Sequence, residues 1–497
     1  MKLSICTDLR QEGDVEEDWR DERIAKLEAA LTAKDEELAA KNRRIAELER
    51  QVAALMKQVA ELAEKLGQNS RNSHLPPSSD PPGARKQRKD HKKPKGEGKR
   101  KRGGQPGHRG THRELLPPEK VNKFVDLFPP HCENCWESLP GVFDPLAKRY
   151  QQTEVPPIEP HTTEFRRHTV ECAGCGYKTC AAYDESKIPA SPFGPRLMAL
   201  MALITGVYNL SRRKTRDLLS DIVGVRVSLG ALSAVESRVS DAVKPAVEQA
   251  WDQVAQAQVK HTDGTSWLQA GLTLSLWTIA TTMATVFKIV SNGSKKTLEP
   301  LYGKLHGILV SDRARALNFW AMERRQICWA HLLRKFVSFS ERDGPAGALG
   351  QELLECTGIL FEYWHDYKAG KLSRERFVAW MAPLQKQIET VLKHAIARDI
   401  ESLSGSCADI LAHKEALWTF VERDDVEPTN NHAERELRAF VLWRKRSFGT
   451  QSERGNLFAE RLMTVAHTAR KQGKNVLAFL TDCCHAQRGR TATPSLF

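Results

Sequence analysis

The chain has no long, uniformly apolar run, and this excludes a simple membrane anchor. Its longest uncharged stretch, Gly264 to Phe287, holds too many Thr, Ser and Gln residues for a lipid-facing helix. Within it, Leu272, Leu274 and Leu276 alternate with Thr273 and Ser275, the period of a strand, so it reads as buried sheet. A secretory signal is absent too: MKLSICTDLR is followed at once by acidic residues instead of an apolar segment, so a cytoplasmic location is expected. Without export, the eleven cysteines are expected to be reduced and available to metal. No internal repeat is visible.

Positive charge is what the chain has in excess, at a formal +13. Thirteen Lys or Arg lie between Arg85 and Arg113 against two acids, Asp90 and Glu97. Such a run repels itself, stays extended and suits a polyphosphate partner, although a solvated basic linker has the same composition. Before it comes a heptad. With Ile24 at position a, the series Ile24, Leu31, Leu38, Ile45, Val52, Val59 and Leu66 is wholly apolar. Position d reads Leu27, Lys34, Lys41, Leu48, Leu55 and Leu62. A strict seven-residue repeat over this length favours a coiled coil and hence a homodimer or higher homo-oligomer. The two d lysines weaken the middle of the seam and keep an isolated helix open. Gly67 then ends the helix, and the proline-rich GQNSRNSHLPPSSDPPG cannot propagate helix or central strand.

Two CxxC pairs follow, Cys132 with Cys135 and Cys172 with Cys175. Each pair fits a tight turn, and together they offer four thiolates for a closed, structural Zn2+ site. Cys180, His131 and His168 are nearby substitutes. From Pro195 to about Val254 the pattern is helical. Gly224 breaks it and Ser228 stands where an N-cap would start a second helix, a layout resembling a helix-turn-helix but common without DNA as well.

After Ala257 the reading changes to strands: VKHTDGTSWL, LTLSLWTIAT and TVFKIVSN in succession, a polar helix near 295–305, then GILVSD and RRQICWA. That order predicts a ribonuclease-H-like α/β core with a helical insertion. The expected layout is a multidomain chain: a coiled coil over 20–66, a flexible basic linker over 67–118 and a zinc-binding module over 119–185. A helical, helix-turn-helix-like DNA-binding region covers 186–255. The catalytic core spans 256–450 with its insertion at about 332–422, and a helical region closes the chain over 451–497.

Three acids stand out in this core. Asp263 lies in the first strand, Asp312 ends the fourth, and Glu434 opens a helix that Thr429 or Asn430 can cap. Acids beside apolar strands are unfavourable unless they meet a cation or a donor. Carboxylates so placed can hold two Mg2+ (or Mn2+) ions about 4 Å apart, one activating a water or a 3′-hydroxyl, the other stabilising the leaving oxygen. Arg438 and Lys445 share nearly the same helix face as Glu434 and are candidates for gripping DNA phosphates. The spacing alone favours ordinary cap, turn and surface acids.

The chain resembles insertion-sequence-66 type transposases over nearly its whole length. The resemblance is carried by GQNSRNSHLPPSSD, GGQPGHRG, the paired CxxC module, HTDGTSW, LVSDRARALN, CWAHLLRKF and TNNHAERELRAFVLWRKRSFGTQSERG. It implies that Asp263, Asp312 and Glu434 form an Asp-Asp-Glu triad. It also implies a zinc-finger DNA-binding module at the paired cysteines, double-stranded DNA (element ends and target) as partner, and two small accessory proteins encoded by the same element. Gly264 departs from the pattern, since many members carry Glu after the first Asp. Cys328 and His331 match the family's CWAH, and their CxxH spacing serves either metal binding or packing. The function so implied is a metal-dependent polynucleotidyl transferase. The alternatives are a catalytically retired transposase acting as a DNA-binding regulator, and a nuclease of the same fold without strand transfer.

Overall fold

The computed structural model describes residues 8–69, 72–73, 114–183, 188–400, 403–489 and 491–497. The basic run of 85–113, the GGQPGHRG segment and most of GQNSRNSHLPPSSD lie outside the described residues. No helix among the described residues is long and apolar enough to cross a membrane. The chain divides into two compact units, residues 1–82 with 331–355, and residues 83–330 with 356–497.

The first unit is dominated by α1 (Asp8–Gly67), sixty residues of uninterrupted helix, about 90 Å at a rise of about 1.5 Å per residue. The a-position residues Ile24, Leu31, Leu38, Ile45, Val52, Val59 and Leu66 are all exposed, as are Leu27, Leu48, Leu55 and Leu62 at d. Lys41, one of the two d lysines, pairs with Glu37 at 2.6 Å along the same helix. After the helix, Asn72 Oδ1 accepts from Asn69 N at 2.8 Å and Ser73 Oγ donates to Asn69 O at 2.6 Å, closing a side-chain-stabilised turn.

The second unit is a mixed α/β structure built on a five-stranded sheet. Ahead of the sheet, a hairpin of β1 (Thr169–Glu171) and β2 (Lys178–Cys180) precedes a helical array. The array comprises α2 (Pro195–Ala202), α3 (Arg212–Leu218), α4 (Leu229–Ala242) and α5 (Lys244–Gln256). Ser211 Oγ accepts Lys214 N at α3, and Ser228 Oγ accepts Ala231 N at α4, so each helix begins on a hydroxyl cap.

The sheet consists of β3 (Val259–Gln269), β4 (Leu272–Ala280), β5 (Thr285–Val290), β6 (Ile308–Ser311) and β7 (Arg325–Ile327), with α6 (Lys295–Tyr302) crossing from β5 to β6. Strand order is β5-β4-β3-β6-β7. The first three strands form an antiparallel meander, and β6 and β7 run parallel to β3. Five helices separate β7 from the next part of the core: α7 (Trp329–Ser340), α8 (Pro345–Lys368), α9 (Arg374–Ala397), α10 (Ser404–Ala412) and α11 (Thr419–Glu422). The chain ends with α12 (Asn431–Ser447), α13 (Glu453–Lys471) and α14 (Val476–Gly489).

Helix α12 turns Ala433, Leu437, Phe440 and Trp443 inward, a spacing of 4, 3 and 3 that makes one apolar stripe. Trp267 of β3 is fully buried against Phe440 and Trp443, with ring centroids 5.3 and 5.9 Å away, and Phe287 of β5 meets Phe440 at 4.9 Å. Helix α13 lies along the free edge of β5. Thr285 N donates to Thr468 Oγ1, Phe287 N to Thr464 Oγ1 and Ile289 N to Glu460 Oε1, at 3.1, 3.2 and 2.7 Å. Four helical residues advance about 6 Å and two strand residues about 6.7 Å, so side chains one turn apart match every second N–H of the edge. Lys288 Nζ closes the set on Glu460 Oε2 at 2.9 Å.

Thr464 is completely buried, so Thr464→Val leaves the Phe287 amide without an acceptor. Unfolding in urea is expected to show a loss of about 1–3 kcal/mol for Thr464→Val, while Thr464→Ser, which keeps the oxygen, loses less.

Candidate functional site

The parallel register of β3 and β6 pairs Val259 with Ile308, Lys260 with Leu309 and His261 with Val310. Asp263 follows His261 by two residues within β3, and Asp312 follows Val310 by two, one residue past the end of β6. Asp263 Oδ1 accepts from Gly264 N at 2.9 Å, and Asp312 Oδ1 from Ala314 N at 2.9 Å, so each carboxylate is steadied by a nearby backbone amide. Tyr302 of α6 comes up beneath them, and its hydroxyl meets Thr262 Oγ1 at 2.5 Å. Burial pushes the Tyr302 phenol well above its ordinary range, and the charges of Asp263 and Asp312 add to the effect, so both acids act on one point.

Arg325 of β7 is fully buried beside the Asp312 turn. Its guanidinium donates to Ser311 Oγ, Asp312 O and Asn318 Oδ1 at 3.2, 3.1 and 3.1 Å. Burial lowers its pKa to about 10, against the opposing pull of Asp312.

Glu434 reaches this place through Asn430, which is completely buried. Asn430 Nδ2 donates to Thr262 O at 2.7 Å, Asn430 N donates to Cys328 Sγ at 3.1 Å, and Asn430 O accepts Glu434 N at 3.2 Å. The residue stands at the N-cap position, yet its side chain makes no cap bond. The sequence allowed a capping role; the amide is instead committed to the strand carrying Asp263. Glu434, half-buried, therefore opens its helix one turn from the backbone of Thr262. A carboxylate oxygen of Glu434 and Cys328 Sγ lie within 4.8 Å of each other, and Cys328 is buried. His331 follows Cys328 by one turn of helix in the sequence.

Gly264, the position that departs from the family pattern, has a local explanation. It pairs across the sheet with Trp277, and a Cβ there would come within 2.7 Å of the indole ring. The large ring occupies the space a side chain at 264 would need.

The solvent side of α12 carries Arg435, Arg438 and Lys445, all exposed. Its opposite flank holds a network that the sequence did not reveal. Lys471 Nζ of α13 contacts Glu436 Oε1 at 3.0 Å and His432 Nε2 at 2.9 Å, and His467 Nδ1 bonds to Glu436 Oε2. The His261 ring of β3 lies tilted against His432, with centroids 5.1 Å apart. Burial alone would raise the Glu436 carboxyl, but hydrogen bonds from His432 and His467 and the charge of Lys471 hold it well below the usual carboxylate range. Burial and the neighbouring His432 lower His261 to about 3, so it is neutral at physiological pH. The network joins residues far apart in the chain, and only the i, i+4 placements of His432 with Glu436 and of His467 with Lys471 were visible locally.

The two cysteine pairs sit in matching turns. Cys132 N donates to Glu137 O and Trp136 N to Cys132 O; Cys172 N donates to Tyr177 O and Gly176 N to Cys172 O, all at 2.8–2.9 Å. Trp136 and Gly176 occupy equivalent left-handed positions, with φ of 61° and 70°. Backbone amides of Cys135 and Asn134, then the Cys135 thiol, lower the Cys132 thiol; Gly174, Cys175 and the Cys175 thiol do the same for Cys172. Each turn thus favours the thiolate form.

The second unit is a mixed α/β structure in which Asp263 lies within β3, Asp312 follows β6, and Glu434 lies in the first turn of a helix tied to β3 through Asn430. Residues 190–457, more than half of the chain, match the transposase IS66 family, and the chain belongs to that family. Residues 26–114 match a family of unknown function. The chain is also similar to the uncharacterized protein y4jO of Sinorhizobium fredii, 24% identical over 179 residues, which cover 35% of this chain and 51% of that protein. The chain thus spans about half the length of this relative.

Replacing Glu436 by Gln removes the charge on which His432, His467 and Lys471 converge, and is expected to cost about 3 kcal/mol at neutral pH. Because the folded pKa of Glu436 is depressed, the wild-type advantage is full above the unfolded value near 4.5 and is lost as pH falls toward the folded one. Urea midpoints for the two proteins should therefore differ at pH 7 and converge in acid; a constant gap would refute the assignment.

Proposed function

We propose that this chain is a DNA transposase of an insertion sequence, cutting element ends and transferring their 3′-hydroxyls to target DNA within a ribonuclease-H-like core. The observation that supports the reading is the register of β3 and β6, which pairs His261 with Val310 two residues ahead of Asp263 and Asp312, together with the bond from Asn430 that ties the start of the Glu434 helix to Thr262 of β3. Asp263, Asp312 and Glu434 are the catalytic carboxylates in this reading. Their all-oxygen donor set fits hard divalent ions such as Mg2+ or Mn2+, and both strand acids already act on the buried Tyr302 phenol. When bound, a pair of such ions supplies the charge that activates the attacking oxygen and stabilises the leaving one.

The chain's own residues do the positioning. Asn430 fixes the origin of the Glu434 helix, Arg325 holds the turn that presents Asp312, and Arg435, Arg438 and Lys445 line the helix with cations for the DNA backbone. The thiolate-favouring turns support a structural Zn2+ held by Cys132, Cys135, Cys172 and Cys175, in a module that contacts the element ends together with the helical array. The exposed heptad of α1 supports pairing of two copies through a coiled coil, so that two ends are handled together. A cytoplasmic location and the help of two small accessory proteins complete the reading.

The deciding measurement is transposition of a marked mini-element in cells that supply the accessory proteins. Wild type is expected to transpose, and Glu434→Gln to bind the ends without joining them. Equal activity in both would sink the triad. Metal analysis of the purified chain should find zinc in the wild type and lose it in Cys172→Ser, with no zinc in either if the module is held otherwise.

A further inference from the structure

The far end of α12 raises a question that the carboxylates do not answer. Phe448 closes the helix in the left-handed region, at φ 56° and ψ 32°, where glycine or asparagine is the ordinary occupant. It is also 73% exposed. A large apolar side chain is therefore held in an unfavourable backbone conformation and turned toward water. Its turn is firmly anchored. Phe448 N donates to Arg444 O at 2.9 Å, Ser447 Oγ to Trp443 O at 3.1 Å, and Thr450 N to Leu268 O of β3 at 2.9 Å. Gly449 packs so closely that a Cβ there would lie 2.1 Å from Leu268 O. Arg444 is tied inward to Thr265 Oγ1 and to Ser266, while Lys445 and Arg446, three and two residues before Phe448, are exposed.

We infer that Phe448 is a DNA-stacking residue, its ring against an unstacked base while Arg446 and Lys445 meet the adjoining phosphates. This rests on the transposase reading and extends its DNA-binding surface to a residue outside the carboxylate site. A rigid aromatic flanked by cations suits nucleic acid, because the ring offers a face to a base and the cations answer the backbone. Phe448 lies fourteen residues beyond Glu434, about 21 Å along a helix, or about six base pairs of duplex from a phosphate at that acid. The same helix would thus present the cut at one end and the ring at the other.

The test is equilibrium binding of the full-length protein to two fluorescein-labelled duplexes of one sequence, fully paired or with a single unpaired base. Wild type is expected to prefer the unpaired probe by about tenfold. Phe448→Asn should erase that preference and Phe448→Trp retain it, while thermal midpoints stay at or above wild type because Asn tolerates the left-handed backbone. Arg446→Gln should weaken both probes alike and reduce the slope of log affinity against log salt by about one. Undiminished preference in Phe448→Asn, or its loss in Phe448→Trp, overturns the stacking role while leaving the transposase reading intact. Failure of the wild type to bind either probe overturns both.

Discussion

Much of the site geometry depends on one buried amide. Asn430 spends its side chain on Thr262 O and its backbone N–H on Cys328 Sγ, so a strand and the chain end following the helical insertion are tied at one point. Thr262 and Asn430 are both fully buried, so an unmatched Thr262 carbonyl or Asn430 amide would carry a penalty of about 1–3 kcal/mol. The bond therefore does more than add stability: it fixes where α12 begins, and with it the direction in which Glu434 leaves the backbone. The apolar stripe below, from Ala433 to Trp443, sets the helix's tilt against β3 and β4. Origin and tilt together leave the side chain of Glu434 little freedom.

Helix α13 supplies the second constraint. It packs beside α12 through the charged set of Glu436, His467 and Lys471, and along β5 through Glu460, Thr464 and Thr468. Burial raises the Glu460 carboxyl even beside Lys288, whereas the three partners of Glu436 outweigh the same effect there. The two glutamates thus differ because one meets a half-exposed lysine and a backbone amide, and the other His432, His467 and Lys471 together.

Local patterns in the sequence were informative where local physics decides. The alternation of Leu272, Leu274 and Leu276 marked β4, and the hydroxyl of Ser228 does cap its helix. The strand succession and the polar helix before Ile308 are found as read, with Asp263 within a strand, whereas Asp312, read as the end of the fourth strand, falls one residue past it. Asn430 misled, since an asparagine before a helix ordinarily caps it, and only the approach of Thr262 from 168 residues away redirects its amide. Gly264 gave no hint that Trp277 filled its missing side chain, because that is a cross-strand fact. The Glu436 network joins three distant segments, and its two i, i+4 pairs do not by themselves show that the helices meet. Phe448 was legible as a residue, but its backbone conformation was not.

The capping of β5 by α13 also limits how this protein can associate. An exposed strand is an invitation to a strand from another molecule, and here the amides of Thr285, Phe287 and Ile289 already have acceptors from the same chain. The sheet cannot be lengthened on that side without displacing a helix. Copies of the chain are thereby guarded against fusing edge to edge through β5.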